Sequence, residues 1–349
     1  MATFYKLSIK SIVRETAKCV TIEFTVPQEL KAFYSFIAGQ YVTLKLTLDG
    51  QEIRRAYSLC SSPESNTLRV AVKEVPGGLF STFANKQLNE GQLLEVSLPE
   101  GKFTFEPKTD RQKNYAGIAA GSGITPVYSI IQSVLTAEPK STFVLLYGNK
   151  TPEDTIFKNA LEHLEAQFIG RFFVQYAFSK ADAPEALFGR IDQAAINFTF
   201  YNKHKAKEFE TFYLCGPEEM INLSTTVLKS HNILDKNIKF ELFTASSSEQ
   251  KISSNSNHSK VTLIVDDETS EFEMISKQTL LEAALKQGLD VPYSCQGGIC
   301  SSCIARVTEG TAEMKKNSIL TDGEIEEGLI LTCQACPTSD SITINFDEV

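Results

Sequence analysis

A chain of 349 residues with 42% hydrophobic and 22% charged content has the composition of a soluble globular protein and is long for one core, so two or three domains are expected. Residues 259–349 carry sixteen Asp/Glu against six Lys/Arg, a net −10, while the rest of the chain carries +1. This disfavours nucleic-acid binding and reads either as a solvated acidic face or as steering toward a basic partner. With no bilayer-length apolar run and no secretory signal, neither membrane insertion nor export is expected, and the scattered cysteines fit a reducing cytoplasm.

The first hundred residues are strand-rich. KLSIKSIV, CVTIEFTV, YVTLKLTL, RRAYSLCS, LRVAVKEV and LLEVSLPE alternate or run apolar between turn residues, which predicts an antiparallel β-barrel. One helix, STFANKQL, follows Gly77-Gly78. A polar break at residues 106–114 ends this domain, assigned to 1–108. From Tyr115 the pattern alternates. Strands YAGIAA, FVLLYG, FFVQYAFS, TFYLCG and IKFELF enclose helices TPVYSIIQSVL, TIFKNALEHLEAQ and PEEMINLSTTVLKS. That predicts a doubly wound α/β parallel sheet over 109–244, with ligands beyond the carboxyl ends of its strands. The Ser/Asn-rich stretch 245–258 reads as a flexible linker. Residues 259–349 then form a compact unit with a hairpin (KVTLIV, SEFEMI), a short helix (TLLEAALKQG) and a closing strand (SITINF), the α+β pattern of a β-grasp ferredoxin domain.

This last unit holds the most specific motif. Cys295, Cys300 and Cys303 are spaced C-x4-C-x2-C, with Cys333 thirty residues on, the arrangement that ligates a plant-type [2Fe–2S] cluster. Gly297 and Gly298 are expected to free the backbone to wrap the cluster, and Ser294, Ser301, Ser302 and the loop amides to donate to its sulfurs. A zinc ribbon on Cys300/Cys303 and Cys333/Cys336 is the competing reading, but it leaves Cys295 unused.

Upstream, Arg55-Ala56-Tyr57-Ser58 lies on a predicted strand and Gly77-Gly78-Leu79-Phe80-Ser81 opens the barrel helix. Together they suit a phosphate-bearing aromatic cofactor: Arg55 on a phosphate, Tyr57 on the ring, Ser58 on a ring nitrogen, and the helix N-terminus on phosphate. Gly121-Ser122-Gly123-Ile124-Thr125-Pro126 opens the first helix of the α/β domain, a dinucleotide fingerprint whose last position is Pro126. Cys215-Gly216-Pro217 ends another strand on the same sheet edge. The four histidines are expected at the surface, outside any acid–base role.

In order and type, these motifs resemble the ferredoxin–NADP reductase superfamily, in particular the oxygenase reductases with a C-terminal plant-type ferredoxin domain. The resemblance implies an NAD(P)H-dependent oxidoreductase with FAD on the barrel. Arg55 would meet the pyrophosphate, Tyr57 and Ser58 the isoalloxazine, and the strand with Val72 and Lys73, together with Gly77, Gly78 and Ser81, would complete the pocket. It also implies a nicotinamide nucleotide at Gly121, Gly123, Thr125 and Pro126, with Thr125 near the flavin and Cys215, Gly216 and Pro217 beside the hydride path. Some relatives of this domain order use FMN. Ser179-Lys180 takes the place of a Ser-Arg pair that binds the 2′-phosphate in NADPH-using relatives, so the charge favours NADPH over NADH. YGNK, FGRI, CGPEEM and IKFELF look most like the branch that serves phenylacetyl-CoA ring epoxidation. The expected partner is an oxygenase, with a desaturase, hydroxylase, Rieske oxygenase or separate ferredoxin as the alternative acceptor. A zinc-bound interaction protein with a silent barrel is the reading from a different class.

Overall fold

The computed structural model describes residues 3–48, 50–243, 258–275 and 277–349. The expected linker, 245–258, lies outside these residues except for His258, which opens a strand. By contact density the chain parts into two units: Tyr5–Leu44 with Tyr57–Phe243, and Met1–Phe4 and Lys45–Ala56 with Thr244–Val349.

The N-terminal sheet has six strands, β1 (Phe4–Thr16), β2 (Cys19–Thr25), β3 (Tyr41–Leu48), β4 (Gln51–Ser58), β5 (Leu68–Lys73) and β6 (Leu93–Ser97), in the order β4-β3-β6-β1-β2-β5. β2 pairs antiparallel with β1 and β5. An isolated antiparallel bridge joins Leu59, just past β4, to Val70 of β5. The two edge strands therefore meet, and closure removes the exposed edges that an open sheet would present. The barrel's helix is α1 (Leu79–Lys86). Asn85 on it donates to the Val72 carbonyl at 3.0 Å, which fixes the helix on β5.

The second sheet is parallel, with β7 (Asn114–Ala120), β8 (Thr142–Asn149), β9 (Phe172–Phe178), β10 (Leu187–Phe188), β11 (Phe209–Gly216) and β12 (Ile238–Leu242) in the order β10-β9-β8-β7-β11-β12. Its helices are α2 (Ile124–Ala137), α3 (Lys158–Gln167), α4 (Gln193–Ile196) and α5 (Glu218–Ser230). The central strands β7 and β8 are buried almost throughout, as a sheet covered on both faces requires. The chain runs outward from β7 on one side and from β11 on the other. The carboxyl ends of β7 and β11 thus flank a topological switch point, where ligands of such sheets collect. One hydrophobic core joins this sheet to the barrel, running from Cys19, Cys60 and Phe105 to Ile130, Phe143 and Tyr213. Polar bonds from α2 reinforce the seam: Ser129 Oγ to the Ser61 carbonyl (2.6 Å), Gln132 Nε2 to the Cys60 carbonyl (3.0 Å) and Ser133 Oγ to the Glu64 carboxylate (2.9 Å).

The C-terminal sheet holds β13 (His258–Val265), β14 (Glu268–Ile275), β15 (Ile304–Glu309), β17 (Leu329–Leu331) and β19 (Ser341–Asn345), ordered β14-β13-β19-β15-β17. A small pair, β16 (Ala312–Met314) and β18 (Ala335–Pro337), accompanies it. Helices α6 (Leu280–Lys286) and α7 (Asp322–Glu326) both start on capping boxes, Thr279/Glu282 and Thr321/Glu324, which satisfy orphan N–H groups at each end. Among the described residues no helix is long and apolar enough to cross a membrane.

The turn between β7 and α2 is packed hard on β11. A Cβ on Gly123 would stand 2.1 Å from the Cys215 carbonyl oxygen and 2.8 Å from the Gly216 nitrogen. Gly123→Ala must therefore push two strand ends apart. The expected cost is about 1–3 kcal/mol of stability, read by denaturant unfolding, together with weakened nucleotide binding. An unchanged unfolding midpoint would show that this packing is loose.

Candidate functional site

The C-terminal quartet is assembled by a loop and a distant strand end. Cys300, Cys303 and Cys333 are buried and Cys295 is half-buried. Their sulfurs converge: the Cys300 and Cys333 thiols and the Gly297 and Ile299 amides all point to Cys295 and hold its pKa far down, while Cys333 also meets Cys303. The Gly297 N–H lies 3.4 Å from Cys295 Sγ and Gln334 Nε2 3.8 Å from Cys333 Sγ. Of the two expected glycines only Gly298 uses its freedom, with φ +70° and a Cβ position 2.9 Å from the Gln334 side chain. Gln296, and not Gly297, takes the loop's other left-handed conformation, at φ +53°. Ser294 is fully buried, and its Oγ has no hydrogen-bond partner. A buried donor in this position costs free energy unless something accepts from it, and a cluster sulfur is such an acceptor. Cys336 turns away, with its Sγ 3.9 Å from the Lys277 carbonyl, which breaks up the second pair of the zinc ribbon. Among the described residues no three His, Cys, Asp or Glu side chains form a single-ion site. The donor set fits a two-iron cluster shared between four thiolates.

On the barrel, β4 delivers Tyr57 and Ser58. The Tyr57 ring is 5.4 Å from that of Phe80 on α1, so strand and helix frame one aromatic slot. Gly77 has φ +73°, and a Cβ on Gly78 would stand 2.4 Å from Ser81 Oγ and 2.6 Å from Val75 Cγ2. Ser81 Oγ accepts from the Val75 N–H and donates to the Gly78 carbonyl. These bonds hold the N-terminus of α1, which has no side-chain cap, in the form that receives a phosphate. Val72 is fully buried; Lys73 is half-buried, and burial lowers its pKa. Arg55 is exposed and donates to the Arg54 carbonyl at 2.7 Å.

The nucleotide edge lies on the same unit as this slot. Gly121, with φ +55°, has the Lys73 ammonium 3.3 Å from its Cβ position, so the barrel strand reaches the turn that opens α2. Thr125 Oγ1 donates to the Ser122 carbonyl at 3.1 Å, and Pro126 sits buried in the first turn of α2. A Cβ on Gly216 would stand 2.7 Å from Met220 Cε and 3.2 Å from Ala120 Cβ, and Pro217 caps α5. The GSGITP and CGP motifs are thereby neighbours at the switch point. Ser179 and Lys180 continue β9, with their N–H groups bonded to the carbonyls of Asn149 and Lys150. Lys180 is exposed. Close by in the chain, Tyr176 Oη is a buried donor without a partner near the carboxyl end of β9, as suits an edge that binds a polar ligand.

Sequence reasoning misses Glu241. This residue pairs with Cys215 across β11 and β12, and its carboxylate accepts from Ser58 Oγ at 3.0 Å. Burial pushes its pKa up to about 8, against a smaller lowering by the Ser58 bond. Burial, and secondarily Glu241, also holds the Cys215 thiol protonated. Only the IKFELF strand is visible in sequence; a lone Glu on it carries no signal until the fold brings Ser58 over it. Of the histidines, His231 lies at the surface, whereas His204 is half-buried against the Phe173 ring.

A raised carboxyl pKa makes a pH prediction. The folded chain keeps a proton on Glu241 up to about pH 8, whereas the unfolded chain releases it near the ordinary 4.5. This contribution to stability is complete below 4.5 and is lost as pH rises through 8. Glu241→Gln should flatten the decline, with urea midpoints of the two proteins parting progressively between pH 5 and 9. Parallel midpoints would place an ordinary, solvated carboxylate at this position.

Comparison with known proteins finds one domain family in each of these three regions. Residues 6–105 match the oxidoreductase FAD-binding domain family, 118–226 the oxidoreductase NAD-binding domain family and 263–338 the 2Fe-2S iron-sulfur cluster binding domain family. The chain is 38% identical over 351 residues to a subunit of the 1,2-phenylacetyl-CoA epoxidase of Escherichia coli K12, covering 99% of each chain. It is 33% identical to the ferredoxin reductase component of 3-ketosteroid-9-alpha-monooxygenase from Rhodococcus rhodochrous, covering 97% of this chain and 96% of that one. The solved structure of phthalate dioxygenase reductase, a modular structure for electron transfer from pyridine nucleotides to [2Fe–2S], shares the fold with a TM-score of 0.63 at 24% identity over 98% of both chains. The chain belongs to the ferredoxin–NADP reductase superfamily, among the oxygenase reductase components that bind FAD and a pyridine nucleotide and end in a plant-type [2Fe–2S] domain.

Proposed function

We propose that this reductase takes a hydride from NADPH and supplies single electrons to the oxygenase component of a phenylacetyl-CoA epoxidase-type complex. The identity of 38% to a component of that enzyme carries the reading, since it covers 99% of both chains and so all three domains. We assign residues 1–108 to flavin, 109–244 to nucleotide, 245–258 to a tether and 259–349 to the cluster, in the reducing cytoplasm that eight free cysteines favour.

Bound FAD converts a two-electron donor into single electrons, and the bound cluster is their exit. The chain's residues supply alignment and electrostatics. Arg55 meets the flavin pyrophosphate and Tyr57 stacks on the isoalloxazine. Ser58 faces a ring nitrogen, with the protonated Glu241 carboxyl behind it. Thr125, Cys215, Gly216 and Pro217 shape the nicotinamide pocket and exclude water. Backbone N–H groups from Gly121 to Thr125, with Pro126 fixing the first turn of α2, receive the nucleotide pyrophosphate, and Ser179 and Lys180 its 2′-phosphate. Cys295, Cys300, Cys303 and Cys333 hold the irons.

Turnover with purified oxygenase components tests the acceptor. Epoxidation of phenylacetyl-CoA supported by this chain is the expected result. Failure there, with support of a steroid hydroxylase instead, would favour the second reading, which rests on the 33% relative. Cys300→Ser should abolish cluster absorbance and leave flavin reduction by NAD(P)H intact; losing both would contradict separate sites. Lys180→Ala removes one charge-assisted phosphate bond, worth about 1.5–3 kcal/mol. It should raise the KM for NADPH by about tenfold or more, with little effect for NADH. Equal effects on the two donors would place the 2′-phosphate elsewhere.

A further inference from the structure

Arg54, one residue before the expected pyrophosphate ligand, is the least expected side chain on β4. An arginine on a strand ordinarily keeps its charged end in solvent, yet the Arg54 side chain is only 6% exposed. Its Nε donates to Glu52 Oε1 at 2.8 Å, a neighbour on the same strand. Two further partners come from the C-terminal domain. Nη2 donates to Asp290 Oδ1 at 3.2 Å across 236 residues of chain, and the guanidinium lies 4.3 Å from the Tyr293 ring centroid. The Phe4 ring is at 5.2 Å, and the Tyr293 hydroxyl reaches back to Glu52 at 3.4 Å. All these residues belong to one contact unit.

The energetics separate an anchor from an accident of packing. Burying a guanidinium costs several kcal/mol unless carboxylates and ring faces compensate. Glu52 and Asp290 remain 42% and 52% exposed, so either can rehydrate if released, whereas Arg54 becomes solvated only if the C-terminal domain leaves. The contact is thus asymmetric, with one buried cation held by two surface anions. Arginine suits it because its planar fork pairs and stacks at once. Its address also matters. Tyr293 is two residues before Cys295, and Arg54 is three residues before Tyr57 on β4.

We propose that Arg54 is a positioning residue that docks the cluster-bearing loop, through Asp290 and Tyr293, on the hairpin segment 51–56. This goes beyond the electron-transfer reading and rests on it only for its purpose; the docked contact itself is independent of turnover. The hairpin and the loop segment 289–294 form an internal interface that the reductase must make to pass electrons and release to serve an external acceptor.

Hydrogen–deuterium exchange on the full-length, cofactor-loaded protein tests this without any assay of activity. Arg54→Ala should speed exchange about tenfold in residues 51–56 and 289–294 and leave the rest of the C-terminal domain unchanged. Asp290→Ala, at a carboxylate that is 52% exposed, should speed the same two segments about threefold. The double variant should be no faster than Arg54→Ala alone, because both changes remove one contact. Additive effects, unchanged exchange at 289–294 in both variants, or acceleration spread through the whole domain would each overturn the proposal. Stopped-flow absorbance on the same samples adds a second reading. Cluster reduction should slow about tenfold in Arg54→Ala while reduction of the flavin by NADPH keeps its rate. If the wild-type cluster is not reduced by NADPH at all, the electron-transfer reading fails and the exchange result still stands on its own.

Discussion

The seam between the barrel and the parallel sheet is the constraint on which the rest of the first unit depends. Helix α2 must do two things at once: present its N-terminus to a nucleotide and lay its flank against the barrel. Ser129, Gln132 and Ser133 sit on that flank and bond groups at positions 60, 61 and 64. A buried carbonyl left without its donor costs about 1–3 kcal/mol, so sliding or tilting the helix is penalised at several points together. The shared apolar core adds a non-directional attraction; the hydrogen bonds give it register. Because the seam is fixed, groups from both domains can be placed against each other with hydrogen-bond accuracy. The Ser58–Glu241 contact, at 3.0 Å, is one consequence. The approach of Lys73 to Gly121 is another.

That accuracy explains why this site works without a conventional acid–base pair. A carboxyl group held protonated up to about pH 8 can hold a proton near a bound ring without adding a negative charge at neutral pH. Cys215 beside it is likewise neutral through burial. The surroundings of Ser58, Cys215 and Glu241 are therefore polar in shape but nearly uncharged, whereas Arg55 and Lys180 are exposed. Charge outside and neutrality inside is the arrangement that a hydride, which carries its charge with it, requires of its surroundings.

How much of this is legible in sequence follows from how local each signal is. The long strands and helices of the α/β domain are readable because buried parallel strands are continuous apolar runs and their helices are periodic; FVLLYG and TPVYSIIQSVL form β8 and α2 with little change. The region 187–203 is not readable. It folds as the two-residue strand β10, the single-turn α4 and a π-helical stretch at Asn197–Lys203, elements too short or irregular to leave a period. β15 to β18 escape for the same reason, since three of the four have only three residues and are specified by pairing partners far along the chain. The cysteine quartet is legible because metal ligation fixes residue type and spacing together. Glu241 is not, because its pKa is a property of a neighbour 183 positions away. Arg54 is hidden for a similar reason: next to Arg55 in sequence the two look interchangeable, and only burial divides them into one side chain for the solvent edge and one for the interior.

The C-terminal domain closes the argument on electrostatic grounds. Its pocket gathers four thiols that become thiolates on a buried, negatively charged centre. Dipoles supply compensation close to the sulfurs: loop amides such as that of Gly297, the Gln334 amide at 3.8 Å from Cys333, and the unpartnered Ser294 hydroxyl. The same segment of chain carries the excess negative charge of the whole protein. Dipoles tolerate an added electron, whereas a surrounding like charge works against retaining it. The same acidic surface attracts a basic acceptor over a distance that salt screens. A domain built in this way holds its cluster firmly by covalent bonds and its electron loosely by field.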